Sequence, residues 1–348
     1  FLTRDTQKIG GDDYFWHRMF TFTSLIVGRQ INDKTVTEKP FLVLNDATWR
    51  PMHQLVERLS GGLIPELPHQ LYQLVEPDQD VNEILTRSFR EYEPHQVPSH
   101  RMTEEGVKSD GETFNVTIYC SASTTDHPMK MWARDMAFDL ASLGFGVVNG
   151  GGTGPDGLMV ETSNGVHKSR REFAPFLAAK GIDAPKNYVG SIHCVETAQE
   201  EGLCDFNDYA VVYPTIYQRM QALQETDAEV VLPGGAGTIQ EIAASILMRR
   251  AGIHACENRP LIIVNRNGCY DPLIDMIPKG DFKRYNINVV ETKDEAMDLL
   301  ISARQARQME PDLPYSYDEY AELKEEFQGN APQRQPARPG AKDRSQKL

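Results

Sequence analysis

The residues best placed to do chemistry lie in the run Glu-Val-Val-Leu-Pro-Gly-Gly-Ala-Gly-Thr-Ile-Gln-Glu, positions 229–241. A β-branched pair, Val230 and Val231, ends in a Pro-Gly-Gly turn, and Thr238 opens an apolar, helix-periodic segment from Ile239 to Met248. Strand, glycine turn and helix in that order aim unsatisfied backbone N–H groups and the positive end of a helix dipole at an anion, most often a phosphate. Gly234, Gly235, Ala236, Gly237 and Thr238 are therefore the candidate phosphate-binding residues. Glu241 falls one turn into the helix, where its carboxylate would sit beyond the cradle at about the distance of a ribose. A phosphate site with an acid beside it points to chemistry on the sugar of a nucleotide.

Two further turns and one arginine belong with this segment. Cys120-Ser121-Ala122-Ser123 follows the strand-like run Val116–Tyr119, and its small residues suit either close approach to a ligand or a tight turn into a helix. Asn149-Gly150-Gly151-Gly152-Thr153-Gly154-Pro155-Asp156-Gly157 follows a run ending at Val148. So many glycines cost backbone entropy, which is tolerated where the chain must bend sharply against a ligand. The loop is not the G-x-G-x-x-G dinucleotide fingerprint, because no acidic residue ends the next strand at the required distance. Arg219 lies early in the helical segment after the run Tyr209–Tyr213. Its planar fork could clamp a phosphate or polarise a leaving group; a surface ion pair is the alternative.

The elements that must position these groups alternate from about residue 114 to 306. Strands are expected at Asn115–Cys120, Phe145–Asn149, Tyr188–His193, Tyr209–Tyr213, Glu229–Leu232, Leu261–Asn265 and Asn288–Val290. Helix-periodic segments lie between and after them, at Met129–Leu143, Leu158–Val166, Ile216–Gln224, Ile239–Arg250, Pro272–Ile277 and Lys293–Arg304. This pattern predicts an α/β fold, a Rossmann-like doubly wound parallel sheet with helices on both faces. Such sheets bind ligands at the carboxyl ends of their strands, where all the turns above fall. Residues 1–113 read as a mainly helical extension, with a possible strand at Phe41–Asn45 and helices at Trp49–Leu59, His69–Glu76 and Val81–Glu91. The polar stretch Glu93–Glu112 reads as a linker, 114–312 as the catalytic domain, and 313–348 as a C-terminal segment. From Gln328 onward that segment reads as a disordered basic tail.

The motif Pro233-Gly234-Gly235-Ala236-Gly237-Thr238 with Glu241 resembles the P-G-G-x-G-T-x-x-E signature of the LOG ("Lonely Guy") family. These are phosphoribohydrolases that cut the base from nucleoside 5′-monophosphates, cytokinin precursors included, and they are often mislabelled lysine decarboxylases. The resemblance spans roughly residues 114–290: Cys120–Ser123 is similar to the family's C-G-S-S turn, and Gly150–Met159 to its G-G-G-x-x-G-x-M loop. Ile216–Leu223 resembles the helix bearing the family's catalytic arginine. The resemblance implies a catalytic pair, Glu241 and Arg219, with Ser121, Gly150, Gly151, Gly152 and Met159 beside the substrate. It also implies a homodimer or larger homo-oligomer that completes its sites across the interface, and chemistry without cofactor or metal. Members acting on cytokinin nucleotides usually carry Arg-Lys, whereas Met220 follows Arg219 here. The larger bacterial nucleotide nucleosidases also lack that lysine and carry extra segments, so ordinary purine or pyrimidine nucleotides are expected substrates alongside cytokinin ones. A nucleotide sensor that binds without cleaving is the alternative on the same scaffold.

Composition sets the outer limits. The 348 residues, 40% hydrophobic and 25% charged, suffice for one domain with a substantial extension or for two. A net charge of −14 argues against a nucleic-acid partner, because an acidic surface repels a polyphosphate. No run approaches the ~18 apolar residues that span a bilayer. The chain begins at Phe1 without a signal-peptide pattern, which suggests a trimmed or truncated start. Five scattered cysteines with no Cys-x-x-Cys pair point to a reducing compartment, the cytoplasm. His193-Cys194 with Cys204 lacks metal-ligand spacing, so a strand-end histidine and two buried thiols are expected there.

Overall fold

Short runs rich in valine and isoleucine become parallel strands in the computed structural model. It describes residues 15–30, 42–44, 49–60, 67–76, 113–308 and 313–330, apart from 123, 125, 153, 155–156, 195–196, 199–201, 203, 205–206, 214 and 253–258. In chain order the elements begin with α1 (Phe15–Gln30), β1 (Leu42–Leu44), α2 (Arg50–Leu59) and β2 (Gln73–Val75). The main sheet and its crossovers follow: β3 (Asn115–Tyr119), α3 (His127–Ser142), β4 (Gly146–Asn149), α4 (Leu158–Lys168), α5 (Ala174–Ala179), β5 (Tyr188–Cys194) and β6 (Tyr209–Tyr213). Then come α6 (Ile216–Leu223), β7 (Ala228–Val231), α7 (Ala236–Arg250), β8 (Leu261–Val264), α8 (Lys279–Arg284), β9 (Ile287–Val290), α9 (Lys293–Ala306) and α10 (Tyr317–Asn330). A π-helical turn, Ser169–Phe173, joins α4 to α5.

Seven strands pair in the order β6-β5-β4-β3-β7-β8-β9, every pair parallel. The chain starts at the centre, winds out through β4, β5 and β6, then returns beside β3 as β7 and winds out the other way. Strand order therefore reverses between β3 and β7, and the carboxyl ends of these two strands open a crevice there. Alternate residues of each strand feed two cores. One face buries Val116, Ile118, Val147 and Val230 under α3, α4, α9 and α10. The other buries Tyr119, Val148, Ile192, Val231 and Ile263 under α6 and α7.

The amino-terminal elements join that second core. Trp16, Met19, Phe22 and Ile26 of α1 and Met52, Leu55 and Val56 of α2 are buried in one cluster with Ile239, Ile242, Ala243 and Ile246 of α7. The indole of Trp16 donates to Asp281 Oδ2 in α8 at 2.8 Å. Strand β1 pairs in parallel with β2, Leu42 opposite Gln73 and Leu44 opposite Val75.

Two contacts fix the opposite layer. Gly165 of α4 lies so near α3 that a β-carbon there would fall 2.2 Å from the Arg134 carbonyl oxygen, so these helices touch backbone to backbone. Asp139 of α3 is buried and accepts from Lys293 Nζ at 2.6 Å, Tyr320 Oη at 2.7 Å and Lys324 Nζ at 2.5 Å. One carboxylate thus ties α9 and α10 to α3. Arg304 adds a bond to Leu143 O at 2.7 Å and lies 3.8 Å from the centre of the Phe145 ring.

Three expectations need correction. His69–Glu76 is not a helix: Pro68–Leu71 makes one turn, Tyr72 is extended, and Gln73–Val75 is a strand. Its spacing of Leu71, Leu74 and Val75 imitates a helical stripe, but Val75 prefers the extended backbone that β1 can pair. Gln328–Asn330 are the last residues of α10, not the start of a disordered tail; the expectation from 331 onward lies outside the described residues. The helix expected at Pro272–Ile277 is a single turn, Asp271–Ile274, followed by the unforeseen α8. The helix expected at Val81–Glu91 and the linker at Glu93–Glu112 also lie outside the described residues. Among the described residues, no helix is long and apolar enough to cross a membrane.

Candidate active site

Four neighbouring strands, β5, β4, β3 and β7, deliver their carboxyl ends to one edge of the sheet. The three turns expected to matter all leave from there. At β3, Ser121 is buried and its carbonyl accepts from Leu158 N at 2.9 Å, which seats the start of α4 on the first turn. A β-carbon at Gly157 would come 2.8 Å from Ala122 O, so the first and second turns interlock.

At β4, Asn149 organises the glycine loop. Its Oδ1 accepts from Gly151 N at 2.9 Å, while its Nδ2 donates to Thr162 Oγ1 at 3.0 Å and Ser163 Oγ at 3.2 Å in α4. Gly151 has φ +81°, and a β-carbon there would strike the His193 ring at 2.1 Å. At Gly150 a β-carbon would fall 2.7 Å from Arg219 Nη2 and 2.9 Å from Met159 Sδ. Gly152 N donates to the same sulfur at 3.4 Å. Glycine is thus a steric requirement at 151, while a side chain at 150 would push the Arg219 guanidinium and the Met159 sulfur aside; Met159 packs behind the loop.

At β7, the Pro-Gly-Gly turn is held from beneath by Tyr270, whose hydroxyl donates to Leu232 O at 2.9 Å and Gly234 O at 3.3 Å. Gly235 is the N-cap of α7, and the first amide satisfied within the helix is that of Ile239, bonded to Gly235 O at 3.1 Å. The amides of Ala236, Gly237 and Thr238 are therefore the outward-pointing donors of the first turn. Thr238 folds its hydroxyl back over Gly234, leaving no room for a side chain there.

Arg219 and Glu241 meet in this crevice. Thr215 caps α6 by accepting from Gln218 N at 3.3 Å, which places Arg219 on the first turn of that helix. Arg219 Nη2 lies 3.3 Å from Glu241 Oε1, and its Nε donates to Ile192 O at the end of β5 at 3.0 Å. Arg219 and Glu241 are only 7% and 6% exposed, so a surface ion pair is ruled out for Arg219. Burying two charges is costly even when they pair, and such expense concentrates at functional sites. Gly150, Gly152, Met159, Arg219 and Glu241 thus meet at this sheet edge, beside the turns that carry Ser121 and residues 234–238.

Three residues with clear structural roles here are not among the candidate site residues: Asn149, Tyr270 and His193. The histidine is fully buried, its Nε2 3.0 Å from Ser191 Oγ, and its Nδ1 makes no hydrogen bond among the described residues. Burial, reinforced by the nearby Arg219 cation, pushes its pKa down to about 4 from 6.5. The neutral ring is the form the fold accepts, whereas the unfolded chain takes up a proton near pH 6.5. Stability from this residue is therefore complete above that pH and drains away as pH falls toward 4. Between pH 7 and 5 the loss amounts to about 2 kcal/mol. Urea unfolding of the wild type and of His193→Gln at both pH values checks this; equal pH dependence in the two proteins removes His193 as the source. Among the described residues no three potential metal ligands gather in one place.

Comparison with known proteins fits this geometry. A family model described as "Possible lysine decarboxylase" matches residues 177–309. The chain is 26% identical over 182 residues to a probable cytokinin riboside 5′-monophosphate phosphoribohydrolase, LOG4, of Oryza sativa subsp. japonica, covering 52% of this chain and 70% of that one. It is 29% identical over 170 residues to the cytokinin riboside 5′-monophosphate phosphoribohydrolase LOG2 of Arabidopsis thaliana, covering 47% and 68% respectively. Among solved structures, a molybdenum cofactor binding protein from Rippkaea orientalis aligns with a TM-score of 0.38 at 14% identity, over 55% of this chain and 95% of that one. Strand order and pairing, rather than that overlap, carry the fold assignment.

Proposed function

We propose, from the premise that this chain belongs to the LOG phosphoribohydrolase family, that it hydrolyses the N-glycosidic bond of a nucleoside 5′-monophosphate to free base and ribose 5-phosphate. The observation that carries this reading is the buried Arg219–Glu241 pair beside a helix amino terminus at the strand-order reversal. The relatives' names supply the reaction class.

In this reaction the bond between C1′ and the base nitrogen breaks, water supplies a hydroxyl group to C1′, and the remaining proton ends on the base. Positive charge builds on the ribose ring as the bond lengthens. Glu241, ionised, stabilises that charge and holds the ribose hydroxyls or the attacking water. Arg219 orients the nucleotide and offsets negative charge at the phosphate or the departing base. The amides of Gly234, Gly235, Ala236, Gly237 and Thr238, with the Thr238 hydroxyl, grip the 5′-phosphate. Ser121, Gly150, Gly151, Gly152 and Met159 flank the sugar and base. The reaction consumes only water and nucleotide.

Incubation with AMP, CMP, GMP and an isopentenyl-adenine nucleotide, followed by chromatography for free base, tests the proposal. Base release from at least one of them is expected. Nucleotide binding without any release would instead make the chain a sensor. We further assign the catalytic unit to residues 114–312 and expect a homo-oligomer, as the family resemblance implies; a monomer in sedimentation velocity would remove the latter.

A further inference from the structure

Helix α1 lies outside the segment matched by the family model, yet it packs along α7, which carries Glu241, and meets α6 through one ring contact. Along α7, Val27 lies over Gly237: a β-carbon on that glycine would sit 3.8 Å from Val27 Cγ2. One turn further along α7, Gln240 Nε2 donates to Ser24 Oγ at 2.8 Å, and Ser24 Oγ donates to Phe20 O at 2.6 Å. Toward α6, the Phe20 ring packs 6.0 Å from that of Tyr217, two residues before Arg219. At its start α1 is anchored by the Trp16–Asp281 bond.

Gln240 is the immediate neighbour of Glu241 and is 1% exposed. Its Oε1 makes no hydrogen bond among the described residues, so the bond from Nε2 to Ser24 is what orients this buried amide. A polar group at such depth needs its partner, and here the partner comes from α1 rather than from the nucleotide-binding fold.

We propose that Ser24 and Gln240 are positioning residues: through them α1 holds the first turns of α7, and so the Glu241 carboxylate, in register with Arg219. This rests on the hydrolase reading above. Misplacement of a reacting group by about 1 Å can cost on the order of 100-fold in rate, and losing one of several contacts should cost about 10-fold. Nothing in the contact touches the phosphate amides directly, so ground-state binding should stay near the wild-type value.

The test compares Ser24→Ala and Ser24→Thr with the wild type, well below the unfolding temperature of each, so that stability does not limit the readout. Ser24→Ala should lower kcat about 10-fold with KM nearly unchanged. It should also speed hydrogen exchange at the amides of residues 239–241, the first ones bonded within α7. Ser24→Thr, which keeps the hydroxyl, should restore both. Unchanged exchange in Ser24→Ala overturns the positioning role whether or not the wild type releases base. Faster exchange with wild-type kcat overturns it too. A wild-type chain that releases no base from any nucleotide overturns the hydrolase reading, which is a separate result.

Discussion

Glu241→Gln is expected to lower kcat about a thousand-fold while leaving nucleotide affinity close to that of the wild type. Glutamine has the shape of glutamate and its carbonyl can still accept from Arg219, which stands 3.3 Å from Glu241 Oε1. Only the negative charge is removed, and on the proposed reaction that charge acts on the developing ring cation rather than on the ground-state nucleotide. A thousand-fold corresponds to about 4 kcal/mol of transition-state stabilisation, reasonable for a buried carboxylate acting on full charge development. Arg219→Ala should lose a comparable factor in kcat and also bind nucleotide less tightly, because it strips a cation from the crevice and leaves Glu241 buried without it. The double variant should be little worse than the poorer single one, since the two residues act as a unit. Base release by Glu241→Gln at the wild-type rate would remove that residue from the mechanism.

The largest stability loss is expected on the opposite face, from Asp139→Ala. Removing this carboxylate strands Lys293, Lys324 and Tyr320, whose bonds of 2.6, 2.5 and 2.7 Å all converge on it. Both lysines are less than a fifth exposed, so water does not readily replace the lost partner. Breaking a buried ion cluster from one side costs about 3–5 kcal/mol, and the lower end suits lysines that can still reach solvent. Urea unfolding of both proteins measures this. A loss under about 1 kcal/mol would show that α9 and α10 stay docked through Arg304 and the aromatic contacts alone. Activity at low temperature should survive, because the cluster lies under the other layer of helices.

The seven strands of the main sheet are legible in the chain because parallel strands buried on both faces are continuous apolar runs, as in Val-Val at 230 and Leu-Ile-Ile-Val at 261. Their ends shift by at most one residue. The turns are legible for a different reason, since glycine is forced by contacts such as that of Gly151 with His193. What escapes is the support. Tyr270 acts through carbonyls distant in sequence and the His193 ring packs against Gly151 from another strand, and no local spacing encodes a hydroxyl reaching from residue 270 to residue 234. Helix α1 does carry a helical stripe in Trp16, Met19, Phe22, Thr23 and Ile26, all buried, and that stripe could have revealed it. Helix α10 also carries a stripe, Tyr317, Tyr320, Leu323 and Phe327, set among many charged residues; its place is fixed by that stripe together with Tyr320 and Lys324 meeting Asp139.

Arg219 and Glu241 are 22 residues apart and ride on one uninterrupted helix–strand–helix unit, α6-β7-α7. The oppositely charged couple can therefore be inherited, or grafted, as a single cassette, whereas the two turns at the ends of β3 and β4 come from other parts of the gene. If the proposed hydrolysis holds, preference for one nucleobase over another could drift through those turns while the charged couple travels intact.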